Sequence, residues 1–99
     1  MQFINIIYGD DYNDADILLV PDLVCNNLND IVQSFFDWLF TTKDHGYWKT
    51  NCNGDSYLSA GTNEFVKWLS DQYGNLENEE IRVVKKNTKY NPSYPVADF

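Results

Sequence analysis

Seven aspartates, Asp10, Asp11, Asp14, Asp16, Asp22, Asp30 and Asp37, fall within the first 42 residues, and no lysine or arginine accompanies them. Carboxylates in this number do one of three kinds of work. They hold divalent cations, move protons, or set up a negative potential that a cationic partner recognises. The densest stretch, Gly9 to Asp16, reads GDDYNDAD. Which work it does depends on what accompanies it.

Tyr8-Gly9-Asp10-Asp11 is spelled like the metal-binding turn of template-copying polymerases. That chemistry needs carboxylates from separate segments, a pair of cations and basic side chains to neutralise a triphosphate. The first basic residue here is Lys43, and 99 residues are too few for a template cleft. Asp and Gly favour turns for conformational reasons, which accounts for the tetrapeptide. An EF-hand loop requires Gly at its sixth position and an acid at its twelfth. Counting from Asp11 the sixth residue is Asp16, and counting from Asp10 the twelfth is Pro21. For nucleophilic catalysis His45, the sole histidine, would have to activate Cys52, the only pairing available. No metal, cofactor or catalytic residue is therefore expected, and a small metal-dependent or thiol enzyme is the remote alternative.

The negative potential remains. The chain carries a net charge of −8, and residues 43–99 are nearly balanced, so the imbalance belongs to the opening half. Such a field repels nucleic acid and anionic lipid and attracts basic protein surfaces. Sixteen aromatic residues exceed what one small core needs, and Tyr and Trp beside charges are common interface anchors. The candidate partner-binding set is Asp10, Asp11, Tyr12, Asp14, Asp16, Asp30, Asp37 and Trp38. The expected function is a non-enzymatic acidic inhibitor that fills a basic nucleic-acid-binding surface of a partner such as a nuclease. Such a nucleic-acid mimic is of the anti-CRISPR, phage anti-defence type. An immunity protein or antitoxin neutralising a cationic toxin would use the same surface.

The elements that position these residues are legible in the hydropathy pattern. Gln2–Tyr8 and Asp16–Val20 are rich in β-branched and aromatic residues and predict an antiparallel hairpin, closed by the acidic turn and stopped by Pro21. Asp14 and Asp16 are expected to point to one side of it. Leu28, Ile31, Val32, Phe35, Phe36, Leu39 and Phe40 recur at helical spacing after an Asn27 cap, with Asp30 and Asp37 on the opposite face and Trp38 at the edge of the stripe. Asn53-Gly54 predicts a two-residue turn pairing Thr50 with Tyr57 and Lys49 with Leu58. Thr62 is the expected cap of a second helix over 63–73, with Phe65, Val66, Leu69 and Tyr73 inward and Gly74 as its stop. Glu80–Lys86 predicts a last strand, followed by an extended tail, 88–99, held by Tyr94 or Phe99.

The order β-β-α-β-β-α-β predicts an α+β fold, a small antiparallel sheet packed against two helices, as one acidic domain over 1–99. Cys25 and Cys52 match no zinc or redox spacing and are expected as buried or half-buried free thiols. The longest aliphatic run, Ile17 to Val20, is too short to span a bilayer, and the N-terminus lacks a basic region followed by a long apolar stretch. A cytoplasmic location is the expectation.

Overall fold

The opening hairpin forms as its alternation dictates. In the computed structural model, which describes residues 1–99, Gln2–Ile7 (β1) and Ala15–Val20 (β2) pair antiparallel with Ile4 opposite Leu18 and Ile6 opposite Asp16. From Ile4 onward both strands are buried on both faces apart from half-buried Asp16, and the hairpin is the middle pair of a four-stranded sheet. Arg82–Thr88 (β5) pairs antiparallel with β2, and Val96–Asp98 (β6) pairs parallel with β1. The architecture is α+β as expected, with an antiparallel-dominated sheet, three helices and a separate two-stranded sheet.

One face of the sheet is covered by helices. Pro21 starts a short helix, Asp22–Asn26 (α1), which the hydropathy pattern did not announce because five residues carry no period. Leu28–Thr41 (α2) follows at once, and Thr62–Tyr73 (α3) completes the layer. Ile4, Ile6, Leu18 and Val20 of the sheet meet Leu28, Ile31, Phe35 and Leu39 of α2 and Phe65, Trp68 and Leu69 of α3 in one core. Phe35 is its centre, with ring centroids 5.0 Å from Phe65, 5.5 Å from Trp68 and 6.0 Å from Phe99. Trp68 joins the expected inward face because α2 forms a second wall beside the sheet. Phe40, placed on the inward stripe by spacing, is 63% exposed and meets only the edge of Trp48 among the aromatic rings, at 6.3 Å.

The opposite face is covered by chain without regular structure. Lys89–Pro95 leaves β5 on one edge, crosses behind β2 and β1, and feeds β6 on the other edge. The tail is thus a cross-strap ending in a sheet strand, not only an extended surface segment. Asn5 holds it. This fully buried side chain donates through Nδ2 to the carbonyls of Asn91 (2.9 Å) and Tyr94 (3.1 Å), and its Oδ1 accepts from the Asn91 N–H at 2.9 Å. A polar residue in a central strand is tolerable only with its hydrogen bonds met, and here the strap's backbone meets them. Tyr94 packs on Phe3, Tyr90 on Tyr12, and Phe99 returns to the helical side against Tyr8, Phe35 and Phe36.

Several local expectations are revised. Trp48–Thr50 (β3) and Ser56–Leu58 (β4) pair Lys49 with Tyr57 and Thr50 with Ser56, one residue from the expected register. The loop has three residues, Cys52 to Gly54, rather than two. Asn51 Oδ1 accepts the N–H groups of Asn53 and Asp55, and Gly54 takes the left-handed conformation at φ 83°, as three-residue hairpins require. Asn27 bounds α2, but its amide donates to the Leu23 carbonyl instead of capping. Thr62 lies inside α3, and Gly61 precedes it. Gly74 stops α3 at a right-handed φ of −65°, where a Cβ would collide with the Ser70 carbonyl oxygen. Cys25 is buried, whereas Cys52 is exposed; both are free.

Candidate functional site

The hairpin turn presents its carboxylates by backbone conformation. Gly9 and Asp10 both adopt positive φ, 58° and 62°, which swings the chain outward before Asp11. A left-handed Asp is tolerated because its short polar side chain bonds locally. Asp11 Oδ1 then accepts the Asn13 N–H at 3.1 Å, and the Asp11 N–H returns to the Tyr8 carbonyl. Asp10, Asp11, Tyr12 and Asp14 are all exposed. Tyr12 is also a clamp: its carbonyl accepts the Tyr90 N–H at 2.9 Å, and the two rings meet edge to face.

Asp16 does not belong to this surface. It is half-buried on the helical side of β2 and accepts from the Thr62 hydroxyl at 2.6 Å and the Asn87 N–H at 3.2 Å. The Thr62 hydroxyl in turn meets the Tyr8 hydroxyl, which also accepts the Thr62 N–H at 2.7 Å. Tyr8 therefore caps the first N–H of α3 from another element, and Glu64 takes the Gly61 N–H at 2.9 Å. With Tyr8 donating to Thr62 and Thr62 to Asp16, every proton has an acceptor. Asp16 is a fastening between hairpin, α3 and β5, and Asp14, outside the strand, shares no face with it.

The topology supplies an acid in its place. Because β6 runs beside β1, Asp98 comes opposite Ile7 and reaches Asp10. The Asp10 carboxyl holds its proton to higher pH than usual, because it hydrogen-bonds Asp98 and lies in that carboxylate's field. Asp98 was invisible as a site residue, since a three-residue parallel strand leaves no local signal.

Asp30 and Asp37 stand exposed on the outer side of α2, two turns and so about 10 Å apart. Asp37 accepts from the Gln33 amide at 3.0 Å. Phe36 and Phe99 meet at 5.3 Å, so α2 lies along β6 with its C-terminal half toward the acidic turn. No hydrogen bond or ion pair links the helical acids to the turn. Trp38 is half-buried, stacked on Phe35 at 6.1 Å and packed on His45 at 5.0 Å.

The cations of the chain leave these acids unpaired. The only salt bridges join the Met1 amine to Asp22 and Glu77, and Arg82 to Glu79. Yet Lys85, Lys86 and Lys89 are brought to one flank of the hairpin, because β5 pairs with β2 and Thr88 faces Ala15. Lys86 Nζ donates to Asn63, not to a carboxylate. The free negative surface is therefore Asp10, Asp11, Asp14 and Asp98, with Asp30 and Asp37 on the neighbouring helix, bounded by lysines on the β5 side.

His45 and Cys52, the pair weighed for thiol chemistry, share no hydrogen bond. His45 Nδ1 accepts the Tyr47 N–H at 3.0 Å, so Nε2 carries the proton and donates to the Leu39 carbonyl at 2.9 Å. Both ring nitrogens are engaged, and Cys52 lies at a hairpin tip beside Asn53. No three His, Cys, Asp or Glu side chains converge as ligands would. No helix is long and apolar enough to cross a membrane. Comparison with protein-family models, curated proteins and solved structures found no match.

Proposed function

We propose that the chain is a non-enzymatic acidic inhibitor that binds the basic nucleic-acid-binding surface of a partner protein in the cytoplasm, in the manner of phage anti-defence proteins. The observation that carries this is a set of exposed carboxylates, Asp10, Asp11, Asp14, Asp30, Asp37 and Asp98, none with a cation in salt-bridge reach. A fold that left them unpaired accepts self-repulsion that a cationic partner would relieve. Asp98, which the sheet brings beside Asp10, adds an acid to the turn from the far end of the chain. Arginines and lysines that grip phosphates accept such carboxylates through the same charge-assisted bonds.

The partner is identified by capture from a host lysate on the immobilised chain, and the complex is then titrated against salt. Affinity should fall steeply with ionic strength. The combined Asp10→Asn, Asp11→Asn and Asp14→Asn variant should bind about tenfold more weakly. Equal affinity of that variant and the parent chain would remove this reading.

A further inference from the structure

A recessed feature lies away from the acidic turn, between the end of α2, the loop after it and the flank of α3 where buried Trp68 meets solvent. It is a cleft of about 170 Å³ walled by Trp38, His45, Tyr47 and Trp68 and rimmed by Glu64, Lys67 and Asp71. Glu64, Lys67, Trp68 and Asp71 recur three and four apart, so α3 delivers them along one stripe.

The walls are fixed before any ligand arrives. His45 sits 5.0 Å from both Trp38 and Tyr47, centroid to centroid, and both its ring nitrogens are bonded to backbone. Trp38 and Trp68 are each backed by Phe35. The polar rim, by contrast, is uncommitted. Asp71 makes no side-chain hydrogen bond or ion pair. Glu64 spends only Oε2, on the Gly61 N–H, and Lys67 pairs with neither acid.

We propose that this cleft receives a guanidinium group, as presented by an arginine side chain of a partner. Three properties select that chemistry. Indole and phenol rings attract a cation at their faces, and a flat, weakly hydrated one stacks on them best. Two carboxylates against one lysine exclude an anion. The same carboxylates can accept N–H bonds in pairs, which a quaternary ammonium lacks and a guanidinium supplies. The volume suits one such head group with part of its stem. The assignment stands on this cleft alone and holds whether or not the acidic turn binds anything.

The test uses the intact chain, with the indole N–H resonances of Trp38 and Trp68 followed by NMR during titration with N-acetyl-arginine amide. Tetramethylammonium and the isosteric, uncharged N-acetyl-citrulline amide serve as comparisons. The arginine probe should shift both indoles saturably in the millimolar range. The citrulline probe should not saturate, and tetramethylammonium should bind at least about fivefold more weakly. Asp71→Asn should weaken the arginine probe about fivefold and Lys67→Gln should strengthen it about twofold, with melting temperatures unchanged because both positions are exposed. Absence of saturation by the arginine probe through tens of millimolar overturns the proposal. So does equal binding of citrulline or tetramethylammonium.

Discussion

The two hairpins of this chain obey different rules. In the first, Ile4, Ile6, Leu18 and Val20 point into the core beneath the helices, and a one-residue slip of either strand would turn its pair out of that core toward the strap. Its register follows from its sequence. The second hairpin is three residues to a strand and mostly exposed, with only Trp48 and Leu58 half-buried. Its hydrophobic pattern therefore selects no register, and Asn51 decides the matter through its bonds to Asn53 and Asp55. Where burial is complete the pattern governs pairing; where it is not, one turn side chain does.

The sharpest way to break the first hairpin is from behind. Asn5→Ala removes the acceptor of the Asn91 N–H and the donor to the strap carbonyls, leaving partly buried backbone groups unmet. Unfolding free energy from chemical denaturation should drop by about 3 kcal/mol. Amide exchange should accelerate first at Asn91 and Phe99, the strap and its end. A loss below about 1 kcal/mol would mean that the strap is held by Tyr90 and Tyr94 rather than by Asn5.

Tyr8→Phe should cost less. It leaves the first N–H of α3 without its acceptor and the Thr62 hydroxyl without its donor, while Phe99 still packs on the ring. The expected loss is about 1.5 kcal/mol, measured by the same denaturation. The Thr62→Ala variant should not add a full second increment, because both changes break one network.

These two residues also mark where sequence reasoning stopped. The apolar stripes of α2 and α3 and the opening hairpin are periodic, and period is a local property, so they were legible. Nothing in the pattern of Gln2–Tyr8 singles out Asn5, since its partners lie some 86 residues further on. Tyr8 read as the end of a strand and Asp16 as a surface acid, because the Thr62 that joins them is 46 residues from Asp16. Of the candidate site, the exposure of Asp10, Asp11, Asp14, Asp30 and Asp37 followed from turn and helix grammar. The flanking lysines and the addition of Asp98 depend on which strands lie at the sheet edges, and no local pattern encodes that.

The open end of the first hairpin carries a charge clamp whose effect depends on pH. The Met1 amine lies 2.7 Å from Glu77 and 3.1 Å from Asp22. Glu77 is held below the usual carboxylate range, chiefly by its hydrogen bond from that amine and then by the Asp22 N–H. The amine is raised above its ordinary value of 8.0 by hydrogen bonds to Glu77 and Asp22. A lowered acid contributes stability above its unfolded pKa and loses it as pH falls through the folded one; a raised amine contributes below its unfolded pKa and loses it as pH rises through the folded one. The clamp therefore works between about pH 5 and 8. Melting temperature measured against pH should show that plateau, and Glu77→Gln should lower it there while leaving both extremes nearly unchanged. A uniform loss at all pH values would assign Glu77 a packing role instead.

The smallest effect belongs to the second hairpin. Asn51→Ala deletes both side-chain bonds that close the Cys52 to Gly54 loop, yet every group involved is exposed and water can replace it. Global stability should change by no more than about 0.5 kcal/mol. The local consequence should be plain: with Asn51 gone, nothing but the glycine at φ 83° favours the three-residue loop, and the pairing of Lys49 with Tyr57 loses its determinant. Exchange of the Asn51 and Gly54 amides should quicken several-fold while that of β1 and β2 stays unchanged. If Asn51→Ala instead cost as much as Tyr8→Phe, the second hairpin would be coupled to the core through Tyr47 and Leu58. Its register would then be a property of the whole fold and not of its turn.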